Sequence, residues 1–223
     1  MHIGLVGGIG PAATDYYYRR IIEVATQRDF SLDLTIVHAD TPTLLRNLLG
    51  GDKAAQVTIF SRLTERLKAA GAETVAITSV AGHFCIDEFK AVSSLPVIDM
   101  IEEVNRTLRN MAIRKVGILG TRTVMETGFY RGIESTEVMP PCKSDLEDVH
   151  RAYIEMTSTG VVTEEQREVF FSAGRRIVAE TGAEAVMLGG TDLVLAFDGR
   201  DISFEVIDCA SLHIDVIAKL AAK

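Results

Sequence analysis

The chain has 223 residues, 47% of them hydrophobic, 24% charged and 6% aromatic, a globular composition that excludes disordered, fibrous and low-complexity classes. Against 31 acidic side chains stand 23 basic ones, and the formal charge of -8 gives no electrostatic footprint for nucleic acid or an anionic membrane. No apolar run nears the roughly 18 residues of a membrane span, and the opening MHIGLVGGIG lacks the basic stretch and cleavage pattern of a signal peptide, so a cytoplasmic protein is expected.

Strand-like and helix-like stretches alternate along the whole chain, the α/β pattern. Residues 2–7 read as a buried strand, and a glycine turn with Pro11 opens a helix through residues 16–25. A second strand is expected at 34–38. Residues 53–70 carry Val57, Phe60, Leu63 and Leu67 at helical spacing and stop at Gly71. Short strands follow at 74–78 and 97–99, and the second half repeats the scheme at 115–119, 185–188 and 205–207. Cys85, Cys142 and Cys209 show neither CxxC nor Cys/His spacing, so no disulfide framework or metal site is indicated.

The repeat is visible in the letters. KVGILG at 115–120 echoes HIGLVG at 2–7, GAEAV at 182–186 echoes GAETV at 71–75, and VID at 206–208 echoes VID at 97–99, with offsets of 113, 111 and 109 residues. Three matches in one order predict two similar lobes. In open parallel sheets, ligands bind beyond the carboxyl ends of the strands. That rule selects residues 7–14, 79–83, 120–123 and 189–192. The repeat makes Ser79 and Gly190 counterparts, each eight residues after the glycine of its GAE motif. If the lobes face each other, a planar ligand meets these loops from opposite sides.

The turn GGIGPAAT at 7–14 offers close backbone approach at Gly8 and Gly10 and the unpaired N–H groups of a helix start, suited to a carboxylate or phosphate; a ligand-free turn is the alternative. It also fits the dinucleotide fingerprint GxGxxA, but Pro11 sits inside it and Asp40 lies beyond the expected spacing of about 20 residues. Arg46 offers a fork for a substrate carboxylate or serves a surface ion pair. His83 reads as a general acid/base or a packed loop histidine, and Cys85 as a small buried hydrophobe or a thiolate at a helix start. Asp192 reads as a helix cap or a cleft acid. Asp208 and His213 are placed to orient cleft groups. Tyr16, Tyr17 and Tyr18 read as a packing cluster with one hydroxyl within reach of the pocket.

Over nearly the whole chain these residues resemble the aspartate/glutamate racemase family, cofactor-independent amino-acid racemases with two pseudo-symmetric α/β lobes and a cleft between them. GGIGPAAT at 7–14 resembles the family's GGMGPxAT, and residues 79–83 fall where CNTAH is usual. Residues 120–130 resemble a threonine-rich segment, LGGTDL at 188–193 resembles LGCTEL, and Asp208 with His213 resembles DxxxxH. The resemblance implies mostly parallel sheets in three-layer lobes, with boundaries at 1–98 plus 208–223 and at 99–207. It also implies a small carboxylate substrate, no cofactor, no metal, no nucleic-acid or membrane partner, and a homodimer.

The family's chemistry needs two opposed thiols, and here Ser79 and Gly190 stand in their places. A serine hydroxyl is a weak base without an activating neighbour, and glycine carries no proton-transferring group. Val80 and Ala81 replace the usual Asn and Thr, and Val124 a usual Thr. The site expected from the resemblance therefore has Ser79, His83, Asp192 and Gly190 at the catalytic positions. Gly8, Gly10, Thr14, Arg46, Val80, Ala81, Thr121, Thr123 and Thr191 would surround the substrate. The leading expectation is a racemase or isomerase of a small amino or hydroxy acid with relocated bases, among them His83, Asp192 and Cys85. A single-base lyase or decarboxylase and a non-catalytic carboxylate-binding protein are the alternatives.

Overall fold

A computed structural model describes all of residues 1–223, which fold as two compact units: Met1–Met100 with Ser211–Lys223, and Ile101–Ala210. In the first, β1 (Ile3–Gly7), β2 (Leu34–His38), β3 (Thr74–Ile77) and β4 (Val97–Ile98) form a parallel sheet ordered β2-β1-β3-β4. Its connections are α1 (Pro11–Gln27), α2 (Thr41–Leu49), α3 (Lys53–Ala69) and α4 (Ile86–Val92). Every residue of β1 and β3 is buried, as expected of central strands covered on both faces, whereas β2 at the edge is largely half-exposed.

The second unit opens with α5 (Met100–Asn110). It contains β5 (Lys115–Gly120), α6 (Arg122–Thr127), β6 (Glu137–Met139), α7 (Lys143–Thr159), α8 (Glu164–Thr181), β7 (Ala185–Gly189), α9 (Val194–Phe197) and β8 (Val206–Asp208). Its parallel sheet runs β6-β5-β7-β8, the same order of second, first, third and fourth strand as in the first unit. Two lobes of one topology are what the repeated motifs predict. The strand β6 was not anticipated: three residues with an exposed or half-exposed pattern carry too little apolar signal.

The repeated GAE motif has a structural cause. Gly71 and Gly182 follow α3 and α8 at φ 96° and 70°, a left-handed conformation in which a Cβ is penalised. The alanines, Ala72 and Ala183, are buried. The glutamates then bind the start of the lobe's first strand. Glu73 Oε2 accepts from the His2 N–H at 2.7 Å, and Glu184 Oε1 accepts from the Arg114 and Lys115 N–H groups at 2.8 and 3.2 Å. Each motif thus ends a helix and fixes the register of the strand beside it.

The last helix, α10 (Cys209–Ala221), carries the chain back into the first unit. Asp208 Oδ1 caps its start by accepting from the Ala210 N–H at 3.0 Å. Its His213 is fully buried: Nε2 lies 2.9 Å from the Ile98 carbonyl and Nδ1 3.0 Å from the Tyr17 hydroxyl. A carbonyl only accepts, so Nε2 carries the proton and the Tyr17 hydroxyl donates to Nδ1. Of the three tyrosines, Tyr17 is buried in this network, Tyr16 bonds Ser211 at 3.1 Å, and Tyr18 is exposed. No helix is long and apolar enough to cross a membrane.

Candidate functional site

In the first unit the glycine turn between β1 and α1 is held from inside. Thr14 Oγ1 accepts from the Gly8 N–H at 2.9 Å and lies 3.2 Å from both the Gly10 carbonyl and the Thr78 hydroxyl. Gly8 has φ 90°, and a Cβ on it would collide with the His38 imidazole and stand 2.7 Å from the Ala39 carbonyl. Gly10 caps α1 in a left-handed conformation with Pro11 next, the sequence order that starts a helix abruptly. The Thr41 hydroxyl donates to the Gly8 carbonyl at 2.6 Å, joining this turn to the segment after β2.

That segment starts α2, where Asp40 accepts from the Thr43 N–H at 2.9 Å and the Thr43 hydroxyl at 2.6 Å. These bonds hold its carboxyl below the usual carboxylate range. Arg46 is exposed and donates to the Thr43 hydroxyl at 2.9 Å, which leaves most of its guanidinium donors turned to solvent.

Beyond β3, Ser79, Val80 and His83 are buried and Ala81 is half-buried, at the start of a 3-10 turn, Ala81–Cys85. His83 Nδ1 lies 2.7 Å from the Ser79 carbonyl, and the Met100 N–H donates to Nε2 at 3.3 Å. The carbonyl requires a proton on Nδ1 and the amide a lone pair on Nε2, so the ring is neutral and both nitrogens serve the main chain. Burial, partly offset by Asp99, lowers its basicity further. Of its two readings, the packed loop histidine matches this arrangement: the ring fastens the loop, and its bond goes to the carbonyl of Ser79 and not to the hydroxyl. Cys85 also matches the first of its two readings, the small buried hydrophobe. It is fully buried, and desolvation pushes its thiol up to about 12, so it packs as a small hydrophobe.

In the second unit, Thr121 caps α6 by accepting from the Val124 N–H at 3.4 Å, and the Thr123 carbonyl accepts from the Thr127 hydroxyl at 2.7 Å. Gly190, Thr191 and Asp192 follow β7, with Thr191 and Asp192 buried in the 3-10 turn Thr191–Leu193. Asp192 Oδ2 accepts from the Tyr153 hydroxyl of α7 at 3.3 Å.

The sequence profile described as Asp/Glu/Hydantoin racemase matches residues 6–217. The chain belongs to that family. Among solved structures it is similar to a candidate Asp/Glu racemase from Yersinia pestis, at 28% identity, TM-score 0.87 and 100% coverage of both chains. It is also similar to an aspartate racemase homologue from Pyrococcus horikoshii, at 28% identity, TM-score 0.83, and coverage of 100% of this chain and 99% of that one. A glutamate racemase from Francisella tularensis, in complex with D-glutamate, shares the fold at 16% identity and TM-score 0.67, over 98% of this chain and 80% of that one.

Within this racemase-family chain, sequence reasoning missed three groups. Tyr153 is one, and nothing in its local pattern marks it. The second is the pairing of Arg122 with Glu147, both guanidinium nitrogens meeting both carboxylate oxygens across α6 and α7. The third is His150, whose Nδ1 accepts from the Arg122 N–H at 3.2 Å and whose basicity falls through burial and the Arg122 charge. No group of three or more His, Cys, Asp or Glu side chains is gathered closely enough to hold a metal ion.

Proposed function

We propose that this racemase-family protein is an isomerase of a small carboxylate, an amino or hydroxy acid, working by cofactor-independent proton transfer at the α-carbon. The family match over residues 6–217 carries this reading, because it spans all four strand-end loops. The exposed guanidinium of Arg46 and the glycine turn at 7–14 suit a substrate carboxylate, and Asp192 is the acid retained beside the vacated thiol position at Gly190. The D-glutamate in the Francisella tularensis enzyme supports an acidic amino acid as the first substrate to try.

The test is hydrogen exchange at Cα. Single enantiomers of aspartate, glutamate and their 2-hydroxy analogues are incubated with the protein in deuterated water and followed by NMR; exchange is expected for at least one, and silence across the panel would sink the reading. In the same assay Arg46→Ala should raise KM roughly 10- to 150-fold, the range for losing a charged hydrogen bond of about 1.5–3 kcal/mol. An unchanged KM would remove Arg46 from the substrate site.

A single-base lyase or decarboxylase is the second reading. It is favoured by the replacement of both thiols, at Ser79 and Gly190, together with a His83 whose ring nitrogens are both held by the main chain. Carbon dioxide or fragment release from malonate-like acids tests it. A ligand that raises Tm without turnover would favour a binding protein instead.

A further inference from the structure

Gly190 has extended backbone, φ −151°, which any residue adopts, so its conformation does not call for glycine. Its surroundings do. A Cβ built there would lie 2.5 Å from Cε2, 2.7 Å from Cζ and 2.7 Å from the hydroxyl oxygen of Tyr153. The phenol of α7 therefore fills the volume that a side chain at position 190 would occupy, and its O–H points to Oδ2 of Asp192. Tyr153 is 7% and Asp192 5% exposed. Between β5 and α7, Gly128, Phe129, Tyr130 and Arg131 run with φ between 57° and 61°. Three consecutive non-glycine residues in the left-handed region store strain of the kind that gathers at functional sites. Tyr130 in that run lies close enough to influence the Tyr153 phenol.

The geometry points to Tyr153 as the proton-carrying residue of this lobe, with Asp192 as the acceptor behind it. The inference deepens the isomerase reading and rests on it. In the step, the Cα–H bond of the bound acid breaks and its proton goes to the Tyr153 hydroxyl oxygen as the phenolic proton passes to Asp192 Oδ2. The electron pair left on Cα delocalises into the substrate carboxylate as an enolate; nothing is oxidised or reduced. Isomerisation is completed when water protonates the enolate on its opposite face and Asp192 gives its proton to water; return along the same path only restores the starting enantiomer. Tyr153 stays a neutral phenol at both ends. That suits its surroundings, because burial and the neighbouring Asp192 raise its pKa well above the ordinary value and disfavour a free phenolate. A packing role alone would need only the ring, and phenylalanine would fill it equally.

Tyr153→Phe keeps the ring against Gly190 and removes the relay; Asp192→Asn keeps the shape and removes the acceptor. The assay is release of the α-deuteron from labelled substrate, with kcat and KM resolved, Tm recorded, and rates measured in mixtures of light and heavy water. Each variant should lower kcat by roughly 10²-fold or more, with KM within a few-fold of wild type and each variant still folded cooperatively. The wild-type rate should fall linearly with the deuterium fraction, because of the two protons in flight only the phenolic one exchanges with solvent. Wild-type activity that survives Tyr153→Phe, or a rate independent of the deuterium fraction, overturns the relay and leaves the isomerase reading standing. Wild-type silence across the panel overturns both.

Discussion

Acidification from pH 6.5 to 4.5 should cost the folded protein about 2 kcal/mol through His213 alone, the slope approaching about 1.4 kcal/mol per pH unit once the unfolded histidine is protonated. The cause is its burial between Tyr17 and the Ile98 carbonyl, close to the His83 ring at a centroid distance of 6.0 Å. Desolvation first, and His83 second, bring its pKa down from 6.5 to about 3. The folded-state pKa is thus depressed for a base that folds neutral. Between about 3 and 6.5 the unfolded chain binds a proton that the folded chain refuses. Stability is complete above 6.5 and drains away as the pH falls towards 3. His83, also lowered by burial, adds in the same direction. Carboxylates held below their usual range, such as Asp40 and Glu88, lose their contribution at lower pH, so the interval above 4.5 reports mainly the histidines. Denaturant unfolding at pH 7, 5.5 and 4.5 measures the slope. His213→Gln, which can still donate to Ile98 but takes up no proton, should flatten it. Equal slopes in the two proteins would show that His213 does not set the acid limit.

The same histidines show where the sequence was readable. The glycine turn was legible because Gly8, Gly10 and Pro11 each answer a backbone requirement local to a few residues. The paired lobes were legible because Gly71 and Gly182, with Glu73 and Glu184, meet identical demands at the end of a helix and the start of a strand. His83 was ambiguous for a physical reason. Its two partners are the Ser79 carbonyl and the Met100 amide, main-chain groups that every residue possesses, so no letter in the sequence announces them. Tyr153 was missed because its partner is a space: the absence of a side chain at Gly190, 37 residues away. A glycine at a position with ordinary extended φ is the available clue, since it implies a bulky neighbour, but it does not say which one.

Replacing Gly190 by cysteine should not rebuild a thiol site, and it should destabilise the protein by roughly 1–3 kcal/mol, the usual cost of overpacking a close-fitted core. The new Cβ would stand within 2.7 Å of three Tyr153 atoms, where ordinary van der Waals contact needs at least about 3.4 Å, so the phenol must leave its place and its bond to Asp192. Tyr153→Ala alone should cost about 3–5 kcal/mol, the range for removing a large buried aromatic ring. The two changes compete for one volume, so together they should cost less than their sum, with a coupling of roughly 1–3 kcal/mol. Equilibrium unfolding of the wild type, both single variants and the double variant measures that coupling. Additive losses would mean that the tyrosine does not occupy the position 190 side-chain volume, and Gly190 would then need another explanation.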